Sequence, residues 1–320
     1  MGNDIHRMND FVKIIDITSG SPDFSKVEEV VTYYRGVNVW TEYNIVRKHF
    51  PVKIRLNKSS GEMKIEGNFG MFWNGHNMAF PNTDFSNSID FISTKLKTDL
   101  RGMKLAEFDH SAIVKLEQHP DAVINNHLSI PGHETKPQKA GKYFKKPRVQ
   151  LVKLYNATRR MKQVYSSTMR AKIYRDCGIS DKDHLLRFEK KFLHPDAYFK
   201  SRLTVDDILH PDFIDILNDD LIETYKSIMK TGLMKLPMKK KDITSATIPL
   251  IIAKEMGLIH NFNFDELVKQ KIKDIPESLL TKNDKKARMR QIKANLKKIS
   301  SSGTSQYDIT EAISESLKMV

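Results

Sequence analysis

The chain has 320 residues, 39% of them hydrophobic and 29% charged, with a formal net charge of +14. Such a length and balance supply a packed core for one large domain or two moderate ones. The positive excess calls for a polyanionic partner, nucleic acid or an anionic membrane surface. A spanning segment is excluded, because no apolar run approaches roughly 18 residues; the longest, residues 248–253, is interrupted by Pro249. The first residues lack the basic-then-apolar layout of a signal peptide. His6 stands where a myristoylation signal after Gly2 requires Ser or Thr. The single Cys177 excludes an internal disulfide and any multi-cysteine zinc site, and fits a reducing cytoplasm.

Residues 1–10 are polar and read as a flexible N-terminus. Residues 11–17 (Phe-Val-Lys-Ile-Ile-Asp-Ile) read as a buried strand that the Ser-Gly-Ser-Pro cluster at 19–22 ends. Residues 26–34 are expected to form a short helix. Residues 52–56 alternate apolar and polar, Ser59-Ser60-Gly61 turns the chain, and 63–66 alternate again, a hairpin pattern. Residues 69–73 are expected to continue that sheet. A helix opens near Ser86 with Ile89, Ile92 and Leu96 on one face, and residues 104–116 form a long strand.

Residues 119–146 read as a polar loop, and loops of that length are either functional or disordered. A strand over 148–155, a helix over 159–175 and a strand over 184–192 follow. From Thr204 the chain reads as helical: Thr204 and Asp207 resemble a capping box, and Phe213, Ile216, Leu217, Leu221 and Ile228 share a helical face. Met289, Ile292, Leu296 and Ile299 stripe a basic helix that ends near Ser300. The expected fold is α+β, a mainly antiparallel central sheet flanked by helices, with a helical C-terminal module. Its parts are an α+β domain over 11–203, the helical module over 204–300 and a tail over 301–320.

Thirteen lysines and arginines fall between Lys136 and Arg175, a window without Asp or Glu. The strand Val149-Gln-Leu-Val-Lys-Leu-Tyr155 lies inside it. A basic cradle around a phenol suits a phosphodiester, with Lys145, Lys146, Arg148, Lys153, Arg159, Arg160 and Lys162 as the phosphate-binding candidates. Two other strands carry acids. The period of two puts Glu107, Asp109 and Ser111 on one face of Leu105-Ala-Glu-Phe-Asp-His-Ser111, and Arg187 and Glu189 on one face of Leu186-Arg-Phe-Glu-Lys190. A strand acid needs something to offset its desolvation, either a cross-strand cation or a bound metal ion. Two or three carboxylates suffice for Mg²⁺ or Mn²⁺. The eleven histidines lack His-x-His and His-Glu-x-x-His spacing. His76, beside Gly75, stands either in a structural turn or where backbone approaches a ligand.

Four segments together resemble the gene II/X family of phage and plasmid replication initiators. They are Trp73-Asn-Gly-His-Asn-Met78, Leu105-Ala-Glu-Phe-Asp-His-Ser111, the strand ending in Tyr155, and Leu185-Leu-Arg-Phe-Glu-Lys-Lys-Phe192 with the Tyr198-Phe-Lys that follows. The likeness spans about residues 11–215 and rests on order and spacing. It implies a rolling-circle endonuclease that nicks one strand of double-stranded origin DNA, keeps the 5′ phosphate on a tyrosine, and later rejoins the displaced single strand. Tyr155 is then the nucleophile, and Asp109 and Glu189 are ligands of Mg²⁺ or Mn²⁺. Glu107 is a further ligand candidate from strand geometry, and His76, Asn77 and Arg187 are site support. No nucleotide cofactor is implied, since a tyrosine ester and a phosphodiester have similar energies. A host helicase and a single-strand-binding protein are the implied partners, no membrane is, and the setting is the cytoplasm, that of the host cell if the gene belongs to a phage. Asn156 and Arg159-Arg160 depart from the family, which often carries acids there. The competing reading is a non-catalytic, sequence-specific DNA- or RNA-binding protein that uses the same basic window, with the carboxylates in salt bridges. A tyrosine recombinase would need a spaced Arg-His-Arg set with a late tyrosine; Tyr307 is late, but no such set accompanies it.

Overall fold

A computed structural model describes residues 11–18, 22–230, 272, 277, 281–300 and 308–318. The fold is mixed α+β, and its central feature is a ten-stranded sheet. The strands in chain order are β1 (Phe11–Ile17), β2 (Glu28–Arg35), β3 (Asn38–Arg47), β4 (Phe50–Asn57), β5 (Glu62–Asn68), β6 (Leu105–Leu116), β8 (Glu134–Gln138), β9 (Gly141–Lys146), β10 (Gln150–Asn156) and β11 (His184–Phe192), with β7 (His127–Ser129) outside the sheet. Their order across the sheet is β2-β3-β4-β5-β1-β6-β11-β10-β9-β8, and every ladder is antiparallel.

The chain divides into two compact units. The first comprises residues 1–124, 132–227 and 309–320, and contains the sheet. Its core joins Val12 and Ile14 of β1, Ile54 of β4 and Ile65 of β5 to Phe85, Ile89 and Ile92 of helix α2 (Asn82–Leu96). The expected hairpin over 52–66 is the β4–β5 pair. Lys48 and His49, at φ +50° and +69°, make the two-residue turn between β3 and β4, a form that matches the strand twist.

The structure corrects several expectations. Residues 28–35 are strand, because Val30, Val31, Tyr33 and Tyr34 are β-branched or aromatic and Gly36, at φ +61°, turns them onto β3. Residues 69–74 are helix α1 rather than sheet. Asn68 caps it by accepting the Met71 N–H at 2.7 Å, Gly75 closes it at φ +82°, and Phe69 and Phe72 bury one face. The segment 119–146 is not a loop, for it holds α3 (Pro120–Asn126), β7 and the β8–β9 hairpin. The helix over 159–175 is broken in two, α4 (Ala157–Val164) and α5 (Ser167–Asp176), because Tyr165 takes extended backbone and Ser166 caps α5.

Beyond β11 come α6 (Pro195–Phe199), α7 (Val205–Leu209) and α8 (Pro211–Lys226). Thr204 and Asp207 do form a capping box at α7. On α8 the buried hydrophobic residues are Ile214, Leu217, Leu221 and Tyr225, whereas Ile216, expected inside, is 52% exposed. Helices α7 and α8 belong to the sheet's unit, not to the residues that follow them. The expected tail contains a helix, Thr310–Lys318, whose Ile313 and Leu317 are buried and whose Ser316 hydroxyl donates to the Ile113 carbonyl at 3.0 Å.

The second unit comprises residues 125–131 and 228–308. Within it β7 pairs with β12 (Met229–Lys230), and α9 spans Lys282–Ser300, where the basic helix is expected. Thr281 and Asp284 cap α9 reciprocally. The expected flexible N-terminus and the apolar run at 248–253 lie outside the described residues.

Candidate active site

Tyr155 stands near the end of β10, and strand register fixes its neighbours. Residues directly opposite in an antiparallel ladder share a face. Tyr155 is opposite Gly141 of β9 and Arg187 of β11, and Lys153 is opposite Glu189. Glu189 is in turn opposite Ser111 of β6, and Lys191 opposite Asp109. Glu107 lies two residues from Asp109 on β6. The sheet therefore brings Tyr155, Lys153, Arg187, Glu189, Asp109 and Glu107 onto one face of three adjacent strands.

Glu189 is the hub of this face. It is only 4% exposed, and a carboxylate so buried persists only when paired. Its Oε2 accepts the Tyr155 hydroxyl at 3.2 Å and lies 3.2 Å from Arg187 Nε. Its Oε1 pairs with the Lys153 ammonium. Arg187, 2% exposed, also donates from Nη1 to the Asn77 carbonyl at 3.2 Å. Burial works against the Lys153 ammonium, but Glu189 and Asp109 outweigh it and raise the pKa, so Lys153 is charged at neutral pH. Asp109, also 4% exposed, accepts the Phe11 backbone N–H at 2.9 Å. Glu107 pairs with Lys191, whose ammonium lies 3.5 Å from the Phe11 ring centroid.

The sequence of β10 sets up this placement. Gln150, Val152, Leu154 and Asn156 are buried, so the alternate residues Lys153 and Tyr155 turn to the other face. The next residue opens α4: Asn156 Oδ1 accepts the Arg159 N–H at 2.8 Å, and its amide donates to Asp121 at 2.9 Å. Tyr155 is thus held between a paired strand and a capped helix.

The supporting residues divide. Asn77 reaches the site through its carbonyl, and its own N–H donates to the Tyr165 hydroxyl at 3.3 Å. His76, 6% exposed, accepts the Met78 N–H on Nδ1 at 3.3 Å, and burial lowers its pKa, so it is a neutral turn residue. Among the basic candidates, Lys146, Arg148, Arg160 and Lys162 are exposed and Lys145 is half-buried. Arg159 instead pairs with Asp121 and donates to the Lys139 carbonyl at 3.1 Å. Burial raises the Cys177 thiol to about 11, which leaves it a poor nucleophile.

A divalent ion does not fit this donor set as it stands. Both Glu189 oxygens engage protein partners, one Asp109 oxygen takes a backbone N–H, and Glu107 is paired with Lys191. Among the described residues no three His, Cys, Asp or Glu side chains come together as a metal site. The cations beside these carboxylates are Lys153, Arg187 and Lys191.

Three contributors were not singled out from sequence: Phe11, which holds Asp109, Asp121, which holds Asn156 and Arg159, and Gly141, which faces Tyr155. Only Gly141 left a signal, since a glycine at a strand position marks close backbone approach. The chain matches no protein-family model and no curated protein. Among the described residues no helix is long and apolar enough to cross a membrane.

Proposed function

We propose that this chain nicks and rejoins DNA through Tyr155, as an initiator of rolling-circle replication acting on double-stranded origin DNA and on the displaced single strand. The observation that carries the reading is the hydrogen bond from the Tyr155 hydroxyl to the buried carboxylate of Glu189. A phenol with an ordinary pKa of about 10 needs a base within reach to attack phosphorus, and Glu189 is within reach. Lys153 and Arg187 place two positive charges beside the same carboxylate, where a phosphodiester gathers negative charge during displacement. The exposed cations Lys146, Arg148, Arg160 and Lys162 can line the path of the DNA backbone. Mg²⁺ or Mn²⁺, expected from the sequence, enters no step here, because its candidate ligands are engaged with protein groups. No nucleotide is needed for joining, and the protein works in the cytoplasm with a host helicase and single-strand-binding protein.

The same ion pairs also suit a nucleic-acid-binding protein without chemistry, in which Glu189 serves only to neutralise Lys153 and Arg187. The two readings part on one comparison. Wild-type protein and Tyr155→Phe are incubated with supercoiled DNA of the replicon that encodes the chain. A strand-specific nick and a denaturation-resistant protein–DNA adduct, both lost in Tyr155→Phe, support the enzyme. Equal binding by the two proteins with no nick from either supports the binding protein.

A further inference from the structure

In the function proposed above Lys153 serves only as a positive charge beside Glu189. Its position gives it a further role. Tyr155 and Lys153 are two residues apart on one strand, which puts them on the same face at roughly 7 Å between Cα atoms. They grip opposite oxygens of one carboxylate, Tyr155 on Glu189 Oε2 and Lys153 on Oε1. The other cation on this carboxylate, Arg187, is 2% exposed and also holds the Asn77 carbonyl. A guanidinium does not give up a proton in proteins. The Lys153 side chain is 20% exposed, against 5% for Glu189 and 2% for Arg187, so it is the most accessible member of this cluster of ion pairs.

We infer that Lys153 is a catalytic residue, the general acid that protonates the departing 3′ oxygen in cleavage and the base that takes this proton back in joining. The inference rests on Tyr155 being the nucleophile. In cleavage the Tyr155 proton passes to Glu189 as the bond from Oη to phosphorus forms. The bond from phosphorus to the 3′ oxygen breaks, its electron pair stays on that oxygen, and Lys153 donates a proton to it. The Glu189 carboxylic acid then reprotonates the Lys153 amine through their direct contact. One proton has moved from the phenol to the new 3′-OH, and both side chains are back in their starting forms. Joining runs the same steps in reverse. The acid is thus built into the strand two residues from the nucleophile it serves.

A sulfur atom in place of the bridging 3′ oxygen tests this directly, because a thiolate leaves without a proton. The substrates are two single-stranded oligonucleotides spanning the nick site mapped with wild type, one with the ordinary linkage and one with the 3′-bridging sulfur. Lys153→Met removes the charge; Lys153→Arg keeps it but supplies no usable acid, and guards against a folding defect. Both variants should lose on the order of 10²- to 10⁴-fold in adduct formation on the ordinary oligonucleotide. On the sulfur oligonucleotide both should recover to near the wild-type rate, while Tyr155→Phe stays inactive on both. Equal impairment of the Lys153 variants on the two substrates, with wild type active, overturns the acid role alone. Absence of any adduct from wild type on either substrate overturns the nicking reading and this inference with it.

Discussion

Gly141 lies directly across from Tyr155 in the β9–β10 ladder, so close that a Cβ added to Gly141 would sit 2.6 Å from the Tyr155 Cβ. The same added atom would crowd the Leu154 carbonyl, which is backbone and cannot swing aside. The missing side chain is therefore part of how Tyr155 is positioned. Gly141→Ala should destabilise the fold by about 1–3 kcal/mol, the usual cost of overpacking. It should also cut adduct formation far more than DNA binding, which is expected to draw on exposed lysines and arginines elsewhere. Chemical denaturation and a filter-binding assay separate the two effects; unchanged stability and activity would show that the strand absorbs the methyl group.

A second network stabilises the sheet away from Tyr155. Lys190, 1% exposed, donates to Asp220 at 2.6 Å and to the Tyr198 and Thr224 hydroxyls at 2.9 Å. Burial pulls the Lys190 pKa down, and Asp220 opposes that pull. Asp220→Ala strands a buried ammonium and should cost about 3–5 kcal/mol in denaturant unfolding. Lys190→Met removes the charge and keeps the volume, so it should cost clearly less. The reverse ranking would mean that packing around Lys190, not its charge, decides the site.

Lys142 offers a pH test. Burial lowers its pKa from 10.5 to about 8. Between those values the unfolded chain holds a proton that the folded chain lacks, so stability gains with rising pH across that window. The penalty is fully present below about pH 8. Lys142→Met should therefore be more stable than wild type at pH 7, and the gap should close as pH rises toward 10.5. A gap independent of pH would contradict this.

The exposed cations Lys146, Arg148 and Arg160 are expected to meet phosphates. Reversing their charge should weaken DNA binding and flatten its dependence on salt, by roughly 0.9 in slope for each duplex phosphate that is no longer neutralised. Arg159→Ala should change that slope little, because Arg159 is already engaged with Asp121; its effect should fall on the stability of α4. Titration from low to high salt distinguishes the two classes of cation.

The α+β class and the strand faces of the candidate residues were legible in the sequence, whereas several element boundaries and the strand neighbours were not. Period-two alternation in β6, β10 and β11 put Asp109, Tyr155, Arg187 and Glu189 on definite faces, and alternation is a local property. What those residues touch depends on which strands become neighbours. That Lys153 meets Glu189 follows from the β10–β11 register, which no local pattern encodes. The errors of secondary structure have local causes. The run from Phe69 is apolar enough for a strand, but Asn68 and Gly75 cap it as a helix. The stretch over 119–146 is polar because β8 is an edge strand carrying Lys136 and Pro137, which resembles a loop in composition.

The most direct test of the central claim is to identify the amino acid that carries DNA. Wild-type protein is reacted with DNA of its own replicon, the DNA is digested to short remnants, and the protein is mapped by peptide mass spectrometry. A nucleotide remnant linked through phosphate to Tyr155 is the predicted result. A remnant on any other residue, or none despite tight binding, would contradict the account.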